Sequence, residues 1–390
     1  MQSFVFNTVA RIINGGGSAL NLADHCAVLG VKRPLLVTDP GLVSIGLIEP
    51  ILSALTEAGL PVIMFDQVRE DPPEDIVLGA AQLGATEQVD GVIAVGGGSS
   101  MDVAKLTAVL LAGDQQLPEL YGVDLVSGGR LPLILVPTTA GTGSEVTPVA
   151  VITTGETTKA GVSSATLLPD IAVLDADLTL GLPPPITAMT GVDAMVHAIE
   201  AYTSRHKKNP LSDSLAMQAL QLLSANIRTA VHDGGNREAR GNMLLGALLA
   251  GQAFANAPVA AVHALAYPLG GHYHIPHGLS NSLVLPSVLE FNAPQASDLY
   301  ADLADVMVDG GGATVGGTGS AEAKTAALVA ALRQLIEDVN LPATLQEAKV
   351  AQSDLEMLAR DAMLQQRLLI NNPRDVTYED ALSIYRASYD

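Results

Sequence analysis

Apolar residues are arranged in two different ways along this chain. In the first half, short unbroken apolar runs alternate with helix-length segments. Leu35-Leu36-Val37-Thr38 runs into Asp39-Pro40-Gly41, and Pro61-Val62-Ile63-Met64-Phe65-Asp66 has the same form. Gly91-Val92-Ile93-Ala94-Val95 leads into Gly96-Gly97-Gly98-Ser99 and a helix over about 101–112, and Leu133-Ile134-Leu135-Val136 stops at Pro137. Continuous rather than alternating apolar strands are buried on both faces, so the pattern predicts a parallel sheet covered by helices. Beyond Leu182-Pro183-Pro184-Pro185 strand-like runs almost disappear. Ala/Leu-rich helical stretches replace them, at 211–231, 239–256 and 321–338. A triple proline suits neither a helix interior nor a central strand. The reading is an α/β domain over 1–182 followed by an all-helical domain over 183–390. The glycine-rich stretch 309–319 reads as a surface connection between helices.

Composition narrows the classes. Hydrophobic residues make up 48% of the 390 and charged residues 16%, enough apolar material for large cores and too much for a disordered chain. With 20 basic and 41 acidic residues the formal charge is −21. Such a surface repels phosphate backbones and anionic lipid, so neither nucleic acid nor membrane is an expected partner. No apolar run approaches the roughly 18–20 residues of a membrane span. The first residues show no basic segment leading into an apolar one, so no secretory signal is expected. Cys26 is the single cysteine, which excludes an intrachain disulfide and a thiolate metal cluster. The expectation is a cytoplasmic globular protein. Phe4-Val5-Phe6 suggests an exposed edge strand that pairs two subunits, making a homodimer the minimal assembly.

Three polar clusters follow strands in the first half. Gly15-Gly16-Gly17-Ser18 and Gly96-Gly97-Gly98-Ser99 each open a helix and would present backbone N–H groups to an anion, or simply make a tight turn. Neither fits a complete GxGxxG unit. The second is better placed, after a buried-looking strand, and continues into Ser100, Asp102 and Lys105. Pro137-Thr138-Thr139-Ala140-Gly141-Thr142-Gly143-Ser144-Glu145 concentrates hydroxyls and glycines where a ribose or amide could be held, or where a helix is capped. Asp39, at a strand's carboxyl end, is either a ribose-diol acceptor that repels a 2′-phosphate or a turn residue.

In the second half, Asp193 and His197 are spaced i and i+4 and share one helix face. Further on come His263, Tyr267, His272, His274 and His277, with Pro276-His277-Gly278 closing the group. A carboxylate with imidazoles and no thiol suits a divalent transition metal such as Fe²⁺ or Zn²⁺.

Taken together, Gly96-Gly97-Gly98-Ser99 with Asp102 and Lys105, the 137–145 segment, Gly191-x-Asp193-Ala194-x-x-His197-Ala198-x-Glu200, and His263 with Pro276-His277-Gly278 resemble the iron-containing (group III) alcohol dehydrogenases nearly end to end. The resemblance implies a dinucleotide-binding α/β domain, an all-helical domain and an active site in a cleft between them, the architecture also of dehydroquinate synthase. It implies Asp193, His197, His263 and His277 as metal ligands. It puts Asp39, Gly97, Gly98, Ser99, Asp102, Thr138, Thr139, Thr142 and Ser144 around NAD, with Lys159 more loosely attached. The implied reaction is hydride transfer between a small primary alcohol, diol or hydroxyacid and NAD. His277 and Tyr267 are the implied catalytic side chains beside the metal, and Phe254 is an apolar wall or a core residue. Two positions depart from the family. Tyr267 stands where many members carry histidine, and a tyrosine with an ordinary pKa near 10 is a poor base at neutral pH. Asp71-Pro72-Pro73 stands where an Asn usually precedes Pro. His272 and His274 are alternatives for proton transfer or cleft-rim residues. Rival readings are a hydroxyacid–oxoacid transhydrogenase or 4-hydroxybutyrate dehydrogenase and a dehydroquinate-synthase-like lyase. The lyase needs basic residues near the ligands, and segments 190–204 and 254–280 contain no Lys or Arg. The same absence favours neutral alcohols.

Overall fold

The computed structural model describes residues 3–155 and 158–390. The chain divides into two compact units. One comprises Asn7–Thr139 and Gly143–Leu180; the other comprises Gly181–Asp390 with Ala140–Thr142 and the residues before Asn7.

In the unit beginning at Asn7, the strands are β1 (Arg11–Asn14), β2 (Pro34–Val37), β3 (Ile63–Phe65), β4 (Gly91–Gly96), β5 (Gly122–Val123), β6 (Leu133–Pro137), β7 (Val149–Thr154), β8 (Thr158–Ser163) and β9 (Ile171–Leu174). The main sheet is wholly parallel, in the order β1-β9-β6-β4-β2-β3. A small second sheet joins β5, β8 and β7. The unit's helices are α1 (Leu22–Leu29), α2 (Pro40–Ser44), α3 (Glu49–Glu57), α4 (Glu74–Thr86) and α5 (Gly98–Ala112).

Unbroken apolar strands are what a two-sided core demands. Leu35, Val37, Val92, Ala94, Leu133 and Leu135 join one buried cluster with Val77 of α4 and Met101 and Leu106 of α5. Their neighbours Leu36, Ile93, Val95, Ile134 and Val136 join the opposite cluster with Leu22, Ile51 and Leu55 from α1 and α3. From β2 the sheet grows one way to β3 and the other way to β4, β6 and β9, so its direction reverses between β2 and β4. In such sheets ligands collect at the carboxyl ends beside that reversal. The carboxyl ends there carry Asp39, Gly96–Ser99 and Thr138–Thr139.

Some details differ from the sequence reading. Residues 4–6 form no strand; the sheet's edge on that side is β1, paired with β9. Helix α5 starts at Gly98 rather than near 101, because first-turn residues need no intrahelical N–H bond and so tolerate Gly and Ser.

The other unit is helical: α6 (Pro184–Thr203), α7 (Pro210–His232), α8 (Arg237–Asn256), α9 (Ala261–Tyr273), α10 (His277–Ala304), α11 (Ala321–Asp338), α12 (Leu355–Ala362), α13 (Gln366–Leu369) and α14 (Tyr378–Ala387). Helix α6 is buried on nearly every face and packs on α7, α8 and α10. Pro184 and Pro185 occupy its first turn, where the missing N–H costs nothing. Among the described residues no single helix is long and apolar enough to cross a membrane.

Candidate functional site

Three helices of the second unit bring four side chains together. Asp193 and His197 lie one turn apart on α6, His263 is on α9, and His277 is the first residue of α10. One ligand atom from each falls within 4.8 Å of all the others. His277 Nε2 is 3.6 Å and His263 Nε2 4.0 Å from Asp193 Oδ1. Donors bonded tetrahedrally to one ion stand roughly 3.4 Å apart, so modest inward movement completes a four-donor site. Asp193, His197 and His263 are buried, whereas the His277 side chain is 44% exposed and marks the open side. Gly278 makes the approach possible, since a Cβ there would overlap the Met189 carbonyl and crowd Asp193. Only glycine lets the start of α10 press against α6 at this point.

The electrostatics suit a cation. Burial pushes the His197 imidazole down to about 3, against the opposing pull of Asp193, so the ring is neutral and ready to ligate at neutral pH. Burial alone would raise the Asp193 carboxyl. The three histidines and the Asn281 amide outweigh it and hold the group below the usual carboxylate range. His197 Nδ1 is buried, with the Gly141 backbone beside the ring. One oxygen donor with three nitrogen donors and no thiol fits a borderline divalent ion of the Fe²⁺ or Zn²⁺ kind.

The surrounding residues have distinct tasks. Phe254 of α8 stacks on His197, ring centroids 4.2 Å apart. The Asn281 amide donates to Asp193 Oδ1 at 2.6 Å. Glu200 Oε2 receives His263 Nδ1 at 2.6 Å. The Tyr267 ring lies 5.9 Å from that of His277. Burial raises the Tyr267 hydroxyl's pKa, partly opposed by the Arg367 guanidinium facing it from α13. An arginine therefore does attend the site, from a helix about a hundred residues beyond the ligand segments. His272 is committed to Asp361 at 2.6 Å, and His274 ends α9 in a left-handed turn with φ 53°.

In the unit with the parallel sheet, the loop after β4 is open. Gly97 is the extended N-cap of α5 and no side chain caps that helix. A Cβ on Gly96 would fall 2.5 Å from Ser100 Oγ, so that position admits only glycine. Thr139 packs against Gly97, and one Asp39 carboxylate oxygen points towards Gly96. The other Asp39 oxygen caps α2 through the Leu42 N–H at 3.0 Å. Beneath the loop, fully buried Lys105 donates to Ser144 Oγ (2.8 Å), Thr147 and the Val149 carbonyl. Asp102 accepts from Ser144 Oγ (2.7 Å) and the Val151 N–H (2.9 Å). Desolvation lowers the Lys105 ammonium to about 8 despite Asp102.

Family models match both parts of the chain. Residues 9–176 match "Iron-containing alcohol dehydrogenase" and residues 187–389 match "Fe-containing alcohol dehydrogenase family, C-terminal". The chain belongs to the iron-containing alcohol dehydrogenase family. It is 40% identical to long-chain-alcohol dehydrogenase 1 of Geobacillus thermodenitrificans, over 98% of this chain and 97% of that protein. The crystal structure of a 1,3-propanediol oxidoreductase superposes with a TM-score of 0.94 at 35% identity, covering 100% of both chains. Sulfoacetaldehyde reductase from Bifidobacterium kashiwanohense, solved in complex with NAD⁺, superposes at 0.88 with 27% identity over 99% of each chain. Membership makes the protein an alcohol–aldehyde oxidoreductase that works with a metal ion and a nicotinamide.

Within that family frame, Asp193, His197, His263 and His277 meet, with Phe254 and Tyr267 against them. Asp39, Gly97, Gly98, Ser99, Thr138 and Thr139 share the strand ends beside β2 and β4. Asp102 and Ser144 are instead engaged inside the protein, under the loop rather than on it. Lys159 of β8 forms an ion pair with Asp71, the residue that departs from the family pattern. Thr142 falls in the compact unit of the histidines, not that of the sheet. At the 15–18 loop Asp175 already accepts the Gly17 N–H at 2.9 Å and that of Ala19, just beyond the loop, at 3.0 Å. Sequence reasoning missed Asn281 and Arg367 altogether. For Asn281 a signal existed: it stands four residues after His277 and so shares its helix face.

Proposed function

We propose that this enzyme oxidises small primary alcohols or diols with NAD, or reduces the aldehydes, with Asp193, His197, His263 and His277 holding a divalent ion. The convergence of those four donors carries the reading. Bound there, the ion would supply Lewis acidity to an alcohol or carbonyl oxygen, and a nicotinamide would supply the hydride chemistry. The chain's own part is to orient and to manage protons. His277 borders the open side, where a substrate oxygen must enter. Tyr267, kept protonated by burial, serves as a hydrogen-bond donor to that oxygen rather than as a base. Phe254 supports His197 and limits water. Gly97, Gly98 and Ser99 offer N–H groups of the α5 N-terminus to the pyrophosphate, and Asp39 accepts from the ribose diol. Asp39→Asn keeps the helix cap, so it should leave thermal stability nearly unchanged while raising use of NADP relative to NAD. The acidic composition and the reduced, buried Cys26 fit the cytoplasm, and a homodimer is the simplest assembly.

Arg367 supports a second reading, in which the substrate carries a distal anion, as in a hydroxyacid dehydrogenase or a transhydrogenase. One experiment separates the two. Anaerobically purified protein, loaded separately with Fe²⁺ or Zn²⁺, is offered ethanol, butanol, 1,2- and 1,3-propanediol and 4-hydroxybutyrate while NADH is followed. Metal-dependent NADH formation with the neutral alcohols supports the first reading. Preference for 4-hydroxybutyrate that Arg367→Leu abolishes supports the second, and silence with free NAD but turnover with an added oxoacid supports the transhydrogenase. His277→Ala retaining both metal and full turnover would overturn the ligand assignment.

A further inference from the structure

Glu200 is the one buried carboxylate beside the four donors that the proposed chemistry leaves unused. It lies seven residues after Asp193 and three after His197, so a single face of α6 carries all three. Its side chain is 4% exposed. Oε1 accepts the Val262 N–H at 2.7 Å, and Oε2 accepts the Ala260 N–H at 3.0 Å and contacts His263 Nδ1 at 2.6 Å. Ala260 and Val262 belong to the cap and first turn of α9, whose N–H groups have no intrahelical partner. Both carboxylate oxygens already act as acceptors, so the proton in the His263 contact belongs to Nδ1. In the neutral ring that places the lone pair on Nε2. His263 Nε2 is the atom that turns towards Asp193 and lies 3.3 Å from the Asn281 amide.

We infer that Glu200 is a positioning residue for the metal centre, holding His263 through Nδ1 so that Nε2 faces the other donors. The inference rests on the proposed four-residue metal site. Among the described residues neither Asp193 nor Glu200 forms an ion pair with Lys or Arg; their titratable partners are histidines. A carboxylate behind a ligating imidazole also raises its basicity, and removing one typically weakens metal binding about 10- to 100-fold.

A plain helix-capping role for Glu200 is the reading to exclude. Metal-free wild type, Glu200→Gln, His263→Ala and the double variant would be titrated with Co²⁺ against a competing chelator, and the visible spectrum of each Co²⁺ form recorded. The expected result is a roughly 10- to 100-fold loss of affinity in Glu200→Gln with an altered Co²⁺ band. In the His263→Ala background the same substitution should change affinity less than about threefold, because a residue acting through His263 has nothing left to act on. Wild-type affinity and spectrum in Glu200→Gln would overturn the inference, as would an equal loss with and without His263. Unchanged affinity in His263→Ala would instead overturn the metal site itself. Should Glu200→Gln not fold, Glu200→Asp, with the carboxylate drawn back from Nδ1, carries the same expectation.

Discussion

The tetrapeptide Gly-Gly-Gly-Ser occurs twice, at 15–18 and 96–99, each time directly after or at the end of a parallel strand and each time at the start of helical structure. The first copy opens a short 3₁₀ turn, and its N–H groups are taken by the Asp175 carboxylate. The second opens the 15-residue α5 with no side-chain cap, beside the point where the sheet reverses direction. One copy is closed by the protein's own anion, and at the other no side chain caps the helix. The same four residues are therefore differently engaged, and the neighbouring strand decides how.

Valine substitutions give the sharpest contrast. Gly96→Val drives a side chain into buried Ser100 and should cost about 1–3 kcal/mol or more, with loss of NADH binding. In Gly16→Val the nearest atom to the new Cβ is 3.4 Å away, an ordinary contact, so stability should stay within about 0.5 kcal/mol. Urea unfolding and NADH fluorescence titration measure both, and equal costs would break the comparison.

Acid tests the other unit, where burial rather than backbone prepares the site. His197 binds its proton at about 3 in the folded protein and near 6.5 when unfolded. Between those values the unfolded chain holds a proton that the folded one lacks, so stability falls as pH drops through that window. The slope is at most about 1.4 kcal/mol per pH unit. Denaturation of metal-free protein across pH 3.5–6.5 should show a shallower slope in His197→Phe than in wild type; matching slopes would place the titration elsewhere.

Asp175→Ala should destabilise by about 1–3 kcal/mol, since the Gly17 and Ala19 N–H groups lose their acceptor. Its NAD affinity should not change, and a clear loss would return the first loop to the cofactor site. The smallest effect pairs Gly97→Ala with Gly15→Ala. Both Cβ positions have room, the nearest atom being Thr139 at 3.7 Å for the first and none within 4 Å for the second. Neither should move stability by more than about 0.5 kcal/mol. Only Gly97→Ala should weaken NADH binding, by on the order of tenfold, because on the proposed reading its methyl would crowd the pyrophosphate.

Much was legible in the one-dimensional pattern, and for a physical reason. Strands buried on both faces must be apolar at every position, so Leu35–Val37, Val92–Val95 and Leu133–Val136 announce a parallel sheet without any knowledge of its neighbours. Helical periodicity likewise places Asp193 beside His197. These are local consequences of strand and helix geometry. What lay far apart in sequence was decided only by packing. The pairing of β1 with β9 puts Asp175 into the first glycine loop. The overlap avoided at Gly278 lets α10 reach α6 and carry His277 to Asp193. The fold of α13 onto Tyr267 supplies an arginine that no nearby segment contains. The chemistry of Asp102 and Ser144 suits ligand contacts, and only packing shows that both also face buried Lys105. A residue's type announces which interactions it can make, and the tertiary structure decides whether a ligand or the protein itself receives them.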